Sequence, residues 1–77
     1  MATVNNVISV PAGTEYDVDR VRLMGFRFQE TGEVTYEGAN GETVTIAGAT
    51  SDSFPDCPAK ILDTTTAAIH LLYYNAP

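Results

Sequence analysis

Apolar and polar residues alternate with period two along most of the chain, and no window carries a helical stripe of apolar positions. From Val4 to Val10 the alternation puts Val4, Ile8 and Val10 on one face and Asn5 and Ser9 on the other, until Pro11-Ala12-Gly13 ends the strand. Val21 to Phe28 is the most apolar early segment. Strict alternation turns Val21 and Leu23 one way and Met24, Phe26 and Phe28 the other, which suggests a central strand or one covered by a partner. Gly25 inside it marks a bulge or a close backbone approach. The clearest local element is a hairpin. Glu33 to Glu37 and Thr43 to Ile46 both alternate, and Gly38-Ala39-Asn40-Gly41 between them tolerates the positive φ of a short turn. Val34 and Tyr36 then pack inward with Val44 and Ile46, while Glu33, Glu37 and Glu42 lie outward or in the turn.

Residues 48–58 read as an irregular connector, because Pro55 and Pro58 exclude a regular central strand. Phe54 is expected to plug the core from this loop. Ala59 to Leu62 resumes extended structure, Asp63-Thr64-Thr65-Thr66 turns, and Ala68 to Tyr74 forms the last strand. That strand shows Ile69, Leu71 and Tyr73 on one face and His70, Leu72 and Tyr74 on the other. Its β-branched and tyrosine content favours a strand over a helix at 66–73. The pattern predicts an all-β fold, a small single-domain β-barrel or β-sandwich of about six short antiparallel strands. One domain spans 1–77, with residues 1–20 an N-terminal strand and loop, or an arm, and 21–74 the β core.

Size sharpens this expectation. A chain of 77 residues buries a modest fraction of its surface and often needs a staple. Cys57 is the only cysteine and His70 the only histidine, which rules out an intrachain disulfide and gives no structural zinc set. Oligomerisation or docking on a larger surface is the expected supplement. A lone thiol also fits a reducing compartment. Ten carboxylates against four basic residues leave a net charge of −6, which repels phosphate and argues against direct DNA or RNA binding. Arg20, Arg22 and Arg27 lie close in sequence, but Asp17, Asp19 and Glu30 flank them. Met1 to Asn6 lacks a signal-peptide pattern and no run has transmembrane length, so a soluble product made in the cytoplasm, with no membrane partner, is expected.

Candidate chemistry is sparse. Cys57, His70 and an aspartate could form a nucleophilic triad only if base and thiol met, and the neighbouring Asp56 disfavours a thiolate. Asp17 and Asp19 share one side of an extended segment, yet the spacing of a calcium loop is absent, and a solvated loop or a salt bridge with Arg20 or Arg22 is the simpler expectation. Asp52 and Asp56 are expected to cap connector amides. The sequence therefore predicts no catalytic residue, no metal ligand and no cofactor. Instead, the surplus apolar positions on the second faces of two strands suggest an interface formed by Phe26, Phe28, His70, Leu72 and Tyr74.

One family shares the order of these pieces. Gly32-Glu33-Val34, Gly41-Glu42-Thr43-Val44-Thr45-Ile46, Phe54-Pro55, Lys60-Ile61-Leu62, Thr65-Thr66-Ala67 and Ile69-His70-Leu71-Leu72-Tyr73 follow one another as in the small head-spike-base proteins of tailed phages and phage-derived gene transfer agents. The resemblance runs over roughly residues 21 to 74. The chain departs from the family pattern where Lys60 stands alone in a strand that usually carries more basic residues, and where Cys57-Pro58 intrudes. The resemblance implies a virion protein, synthesised in the host cytoplasm, that forms a homo-oligomer at a head vertex or decorates the capsid by binding the major capsid protein or other virion proteins. Net charge alone keeps a second expectation open: a small acidic inhibitor that mimics DNA toward a basic host enzyme.

Overall fold

The computed structural model describes residues 4–74, and for Val4 and Asn5 the backbone alone. The expected facing of those two side chains, and the Met1–Thr3 part of the expected arm, lie outside the described residues. Eight strands run in the order β1 (Val4–Val10), β2 (Tyr16–Asp17), β3 (Leu23–Phe28), β4 (Gly32–Glu37), β5 (Thr43–Gly48), β6 (Ser53–Phe54), β7 (Lys60–Ile61) and β8 (Ile69–Tyr74). They form two four-stranded sheets, β1-β8-β3-β6 and β2-β7-β4-β5, with every pairing antiparallel. The all-β class is as expected, and the architecture is an open sandwich. Two pairings of two residues each, β2 with β7 and β6 with β3, raise the strand number above the expected six. Segments this short carry too few positions to display an alternation.

One hydrophobic core lies between the sheets. Val10, Leu23, Phe26, Phe28, Ile69, Leu71 and Tyr73 come from the first sheet, and Val34, Tyr36 and Ile61 from the second. An aromatic cluster occupies its middle: Phe26 lies 5.5 Å from Phe54, 6.0 Å from Tyr36 and 6.1 Å from Phe28 between ring centroids. Such pairs add about 0.5–1.5 kcal/mol each to the burial of their area. Phe54 thus fills the core from the connector side, as the sequence predicts. The hairpin forms in the expected register, Val34 opposite Ile46 and Tyr36 opposite Val44. Its turn is closed by Gly38 N–H donating to the Glu42 carbonyl at 2.8 Å, and Gly41 takes φ 80°.

The Thr-Thr-Ala turn serves the second sheet. Past the end of β7, Leu62 N–H donates to the Thr35 carbonyl at 2.9 Å and Thr66 N–H to the Glu33 carbonyl at 2.8 Å, so the turn continues the ladder along β4. Thr65 is buried, and its hydroxyl accepts from Thr35 N–H at 3.0 Å while donating to the Thr35 carbonyl at 3.1 Å. The Thr65 side chain thereby satisfies the Thr35 amide, which the short β7 leaves unpaired, and adds a second donor to its carbonyl.

A bulge in β3 decides which residues face the core. Leu23 pairs with Tyr73 but Gly25 pairs with Leu72, so Met24 is the extra residue. This insertion moves Leu23 to the same side as Phe26 and Phe28 and turns Met24 outward. Gly25 makes it possible, with φ 149° and its α-carbon against the Phe54–Pro55 backbone. The expected bulge is present, but it abolishes the expected second apolar face of this strand.

Candidate functional site

The interface expected from sequence separates into two groups. Phe26 is 0% and Phe28 1% exposed, enclosed by the chain's own core, so their assignment to a free surface is corrected. The bulge at Met24 is the physical reason, because it gathers all large apolar side chains of β3 except Met24 on the inner side. His70, Leu72 and Tyr74 do lie on the outer face of β8, since Ile69, Leu71 and Tyr73 point into the core. Leu72 is nevertheless largely shielded between its register partners Val7 and Gly25. His70 and Tyr74 are half-buried.

Residues that the sequence reading did not select complete this surface. Val7, 41% exposed, is the outward residue of β1 opposite Leu72. Val21 is 69% exposed in the segment before β3, and Met24 projects from the bulge. Val7 was detectable, as the one apolar residue of β1 out of phase with Ile8 and Val10. An open cleft of about 240 Å³ lies beside β1, lined by Asn6, Ile8, Asp19, Val21, Arg22, Tyr73 and Tyr74. Arg22 takes φ 63°, a left-handed conformation uncommon for a bulky residue, and its carbonyl accepts from Tyr74 N–H at 3.1 Å. Arg27 supplies a cation on the outer face, its Nη2 donating to His70 Nδ1 at 3.3 Å. That contact requires an unprotonated Nδ1.

The opposite, outer face of the second sheet differs in character. Glu33, Thr35 and Glu37 alternate with the inward Val34 and Tyr36 on β4, facing Ala47, Thr45 and Thr43 of β5. Asp17 and Glu15 lie at its other end, where Lys60 Nζ is 3.8 Å from Asp17 Oδ1 and 3.5 Å from Glu15 Oε1. Of the two expectations for Asp17, a solvated position or an ion pair with Arg20 or Arg22, the structure keeps the exposure and supplies Lys60 as the cation, which the β2–β7 register puts directly opposite. Asp19 instead accepts from Val21 N–H at 2.9 Å. Carboxylates scattered in sequence thus collect on one face, because the period of a strand sorts alternate residues to the same side.

The groups considered for chemistry have structural partners. Cys57 Sγ lies 3.5 Å from the Leu23 carbonyl oxygen and 3.8 Å from that of Pro55, while His70 engages Arg27. Asp52 caps Ala49 N–H at 2.8 Å, as expected, whereas Asp56 accepts from the Tyr36 hydroxyl at 2.7 Å instead of capping an amide. Among the described residues, no three His, Cys, Asp or Glu side chains converge as metal ligands, and no helix is long and apolar enough to cross a membrane.

Two phenols are held protonated. Burial, followed by the hydrogen bond and negative charge of Asp56, pushes Tyr36 up from 10.0 to about 12. Burial also raises Tyr73, with Tyr16 and Asp19 adding to it, and its hydroxyl donates to the Asp19 carbonyl at 2.7 Å. An unfolded chain releases the Tyr36 proton near 10, before the folded chain does. This group's contribution to stability is therefore whole below pH 10.0 and is lost as pH rises through about 12. Urea denaturation across this window should show the midpoint falling, and Tyr36→Phe should flatten the fall. An equally steep fall in the variant would assign the alkaline loss to other groups.

No protein-family model matches the chain, no curated protein matches it, and no solved structure matches it.

Proposed function

We propose that this chain is a structural virion protein of a tailed phage, a capsid-decorating or vertex and spike-base subunit with no catalytic role. It would associate with its own copies and with the major capsid protein or another virion protein. The observation that carries this reading is exposed apolar surface on the first sheet: Val7 on the outer face of β1, Met24 at the β3 bulge, and Val21 in the cleft with Arg22 and Tyr74. Apolar groups near charge in a short chain whose single cysteine allows no intrachain disulfide are suited to burial against neighbours. Each Å² of apolar area removed from water contributes about 25 cal/mol. Repetition on a symmetric particle multiplies weak single contacts. The order of sequence pieces shared with head-spike-base proteins points the same way.

The test is quantitative mass spectrometry of purified particles from the phage that encodes the chain, counting copies per major capsid protein. A ratio near one would make it a decoration protein, and a small fixed ratio a vertex, spike or tail component. Its absence from particles would end this reading. Tyr74→Asp should lower incorporation at least tenfold while leaving the circular dichroism spectrum unchanged, and normal incorporation would remove Tyr74 from the contact.

A specific observation favours a second reading, the acidic inhibitor. Glu15, Asp17, Glu33 and Glu37 border one threonine-rich face with Lys60 as its basic residue. Such a face can steer toward a basic nucleic-acid-binding enzyme. Recovery of such an enzyme in a pull-down, released by DNA or by salt, would favour this reading over the first.

A further inference from the structure

The four strand edges of the sandwich are unequal. β2 and β6 end their sheets with two residues each, too few to template another strand, whereas β1 and β5 run for seven and six residues. Neither long edge carries a charged residue or a proline, the devices by which soluble proteins keep an edge from pairing. Alternate residues of β5 are exposed, as are Asn6, Val7 and Ser9 of β1.

The two open edges lie on opposite flanks. β5 passes into β6 through residues 49–52, and Ser51 N–H donates to the Phe28 carbonyl while Phe28 N–H donates to that of Asp52, so β5 and β6 border one flank. β1 passes into β2 through residues 11–15, with Gly13 N–H donating to the Thr65 carbonyl, and these two border the other. Charge differs between the flanks: that of β1 mixes both signs, and that of β5 is acidic. Arg22 and Asp19 both line the cleft beside β1, and Lys60 meets Glu15 and Asp17 at β2, while Glu33 and Glu37 lie on the strand next to β5 and Glu42 immediately precedes it. Pairing β5 with another β5 would set these carboxylates against their own copies, whereas the β1 edge offers them Arg22. Pairing β5 with β1 relieves that repulsion and brings Arg22 toward the carboxylates of β5.

We propose that the β1 edge of one copy pairs with the β5 edge of a second copy, head to tail. An interface between two different surfaces leaves one of each open at the ends and closes into a ring when the rotation permits. A standard interface covers about 800 Å² per partner, roughly a fifth of the 4392 Å² surface of this chain. Paired backbones of six residues fall short of that area, and Val7, Val21 and Tyr74 beside β1 supply apolar surface for the remainder. The proposal rests on the self-associating half of the virion reading and names its partner surface.

The test uses two variants at exposed positions, Val7→Asp on β1 and Thr45→Lys on β5, each checked for the wild-type circular dichroism spectrum. Native mass spectrometry of the purified wild-type chain should show an oligomer, and each variant alone a monomer. Mixing the two variants should restore association, because each retains the edge that the other has lost. A wild-type chain that stays monomeric at the highest soluble concentration would overturn the proposal. So would a mixture that fails to associate, or a single variant that still dimerises through its unaltered edge. Particle copy number separates the two readings. An oligomer absent from particles refutes the virion assignment alone, and a monomer that still decorates particles refutes the edge pairing alone.

Discussion

Phe28→Asp is expected to abolish folding, not merely assembly. The side chain is enclosed, with Phe26 at 6.1 Å and Phe54 at 5.7 Å between ring centroids and the Gly48 backbone against its ring. Truncating a buried phenylalanine costs about 3–5 kcal/mol, and an unpaired buried carboxylate adds several more. A chain of this length has a total stability of about 4–12 kcal/mol at roughly 0.05–0.15 kcal/mol per residue. The loss consumes most or all of that. Thermal melts followed by circular dichroism should show no cooperative transition for this variant, in contrast to Tyr74→Asp. A cooperative melt near that of the wild type would mean that Phe28 is reachable from outside.

Gly25→Ala should have the second largest effect. The backbone at φ 149° disfavours any side chain, which alone costs about 1–3 kcal/mol. The added methyl would also occupy the position of the Phe54 carbonyl oxygen and lie 3.0 Å from the Pro55 α-carbon. Both obstacles are backbone, so relief requires β6 to move away from β3. Overpacking of this kind costs about 1–3 kcal/mol more. Displacement of β6 also loosens the contact of Cys57 with the Leu23 carbonyl, so labelling of its thiol should accelerate together with the fall in denaturation midpoint. An unchanged midpoint and labelling rate would show that the bulge tolerates a side chain.

Local pattern carried most of the fold. The hairpin from Gly32 to Gly48 was legible because both strands alternate and the turn between them is rich in glycine. β8 was legible down to the face of each residue. β2 and β6 were not, since a two-residue pairing is decided by what lies opposite, Ile61 and Lys60 in one case and Phe26 and Arg27 in the other. The site shows the limit more sharply. Gly25 signalled a bulge, but its consequence for Leu23, Phe26 and Phe28 depends on which residue is left unpaired, and only the register with β8 fixes that. A one-residue insertion reverses every assignment on one side of it. The acidic face was hidden for a related reason, because Asp17, Lys60 and Glu37 are distant in sequence and become neighbours only through β2, β7 and β4.

The pairing of β1 with β8 joins the first strand to the last, Val10 opposite Ile69 and Val7 opposite Leu72. During synthesis, β1 therefore emerges from the ribosome long before its intramolecular partner exists. The hairpin can close early, but the first sheet cannot, since β3 also awaits β8. Folding dominated by such distant pairings is slow. Throughout that delay an uncharged strand waits beside nascent copies on the same messenger, so a chaperone or rapid capture by finished subunits would favour its yield. The same topology brings the two ends of the fold together, which suits it to insertion into a surface loop of a larger host protein with short joints at either side.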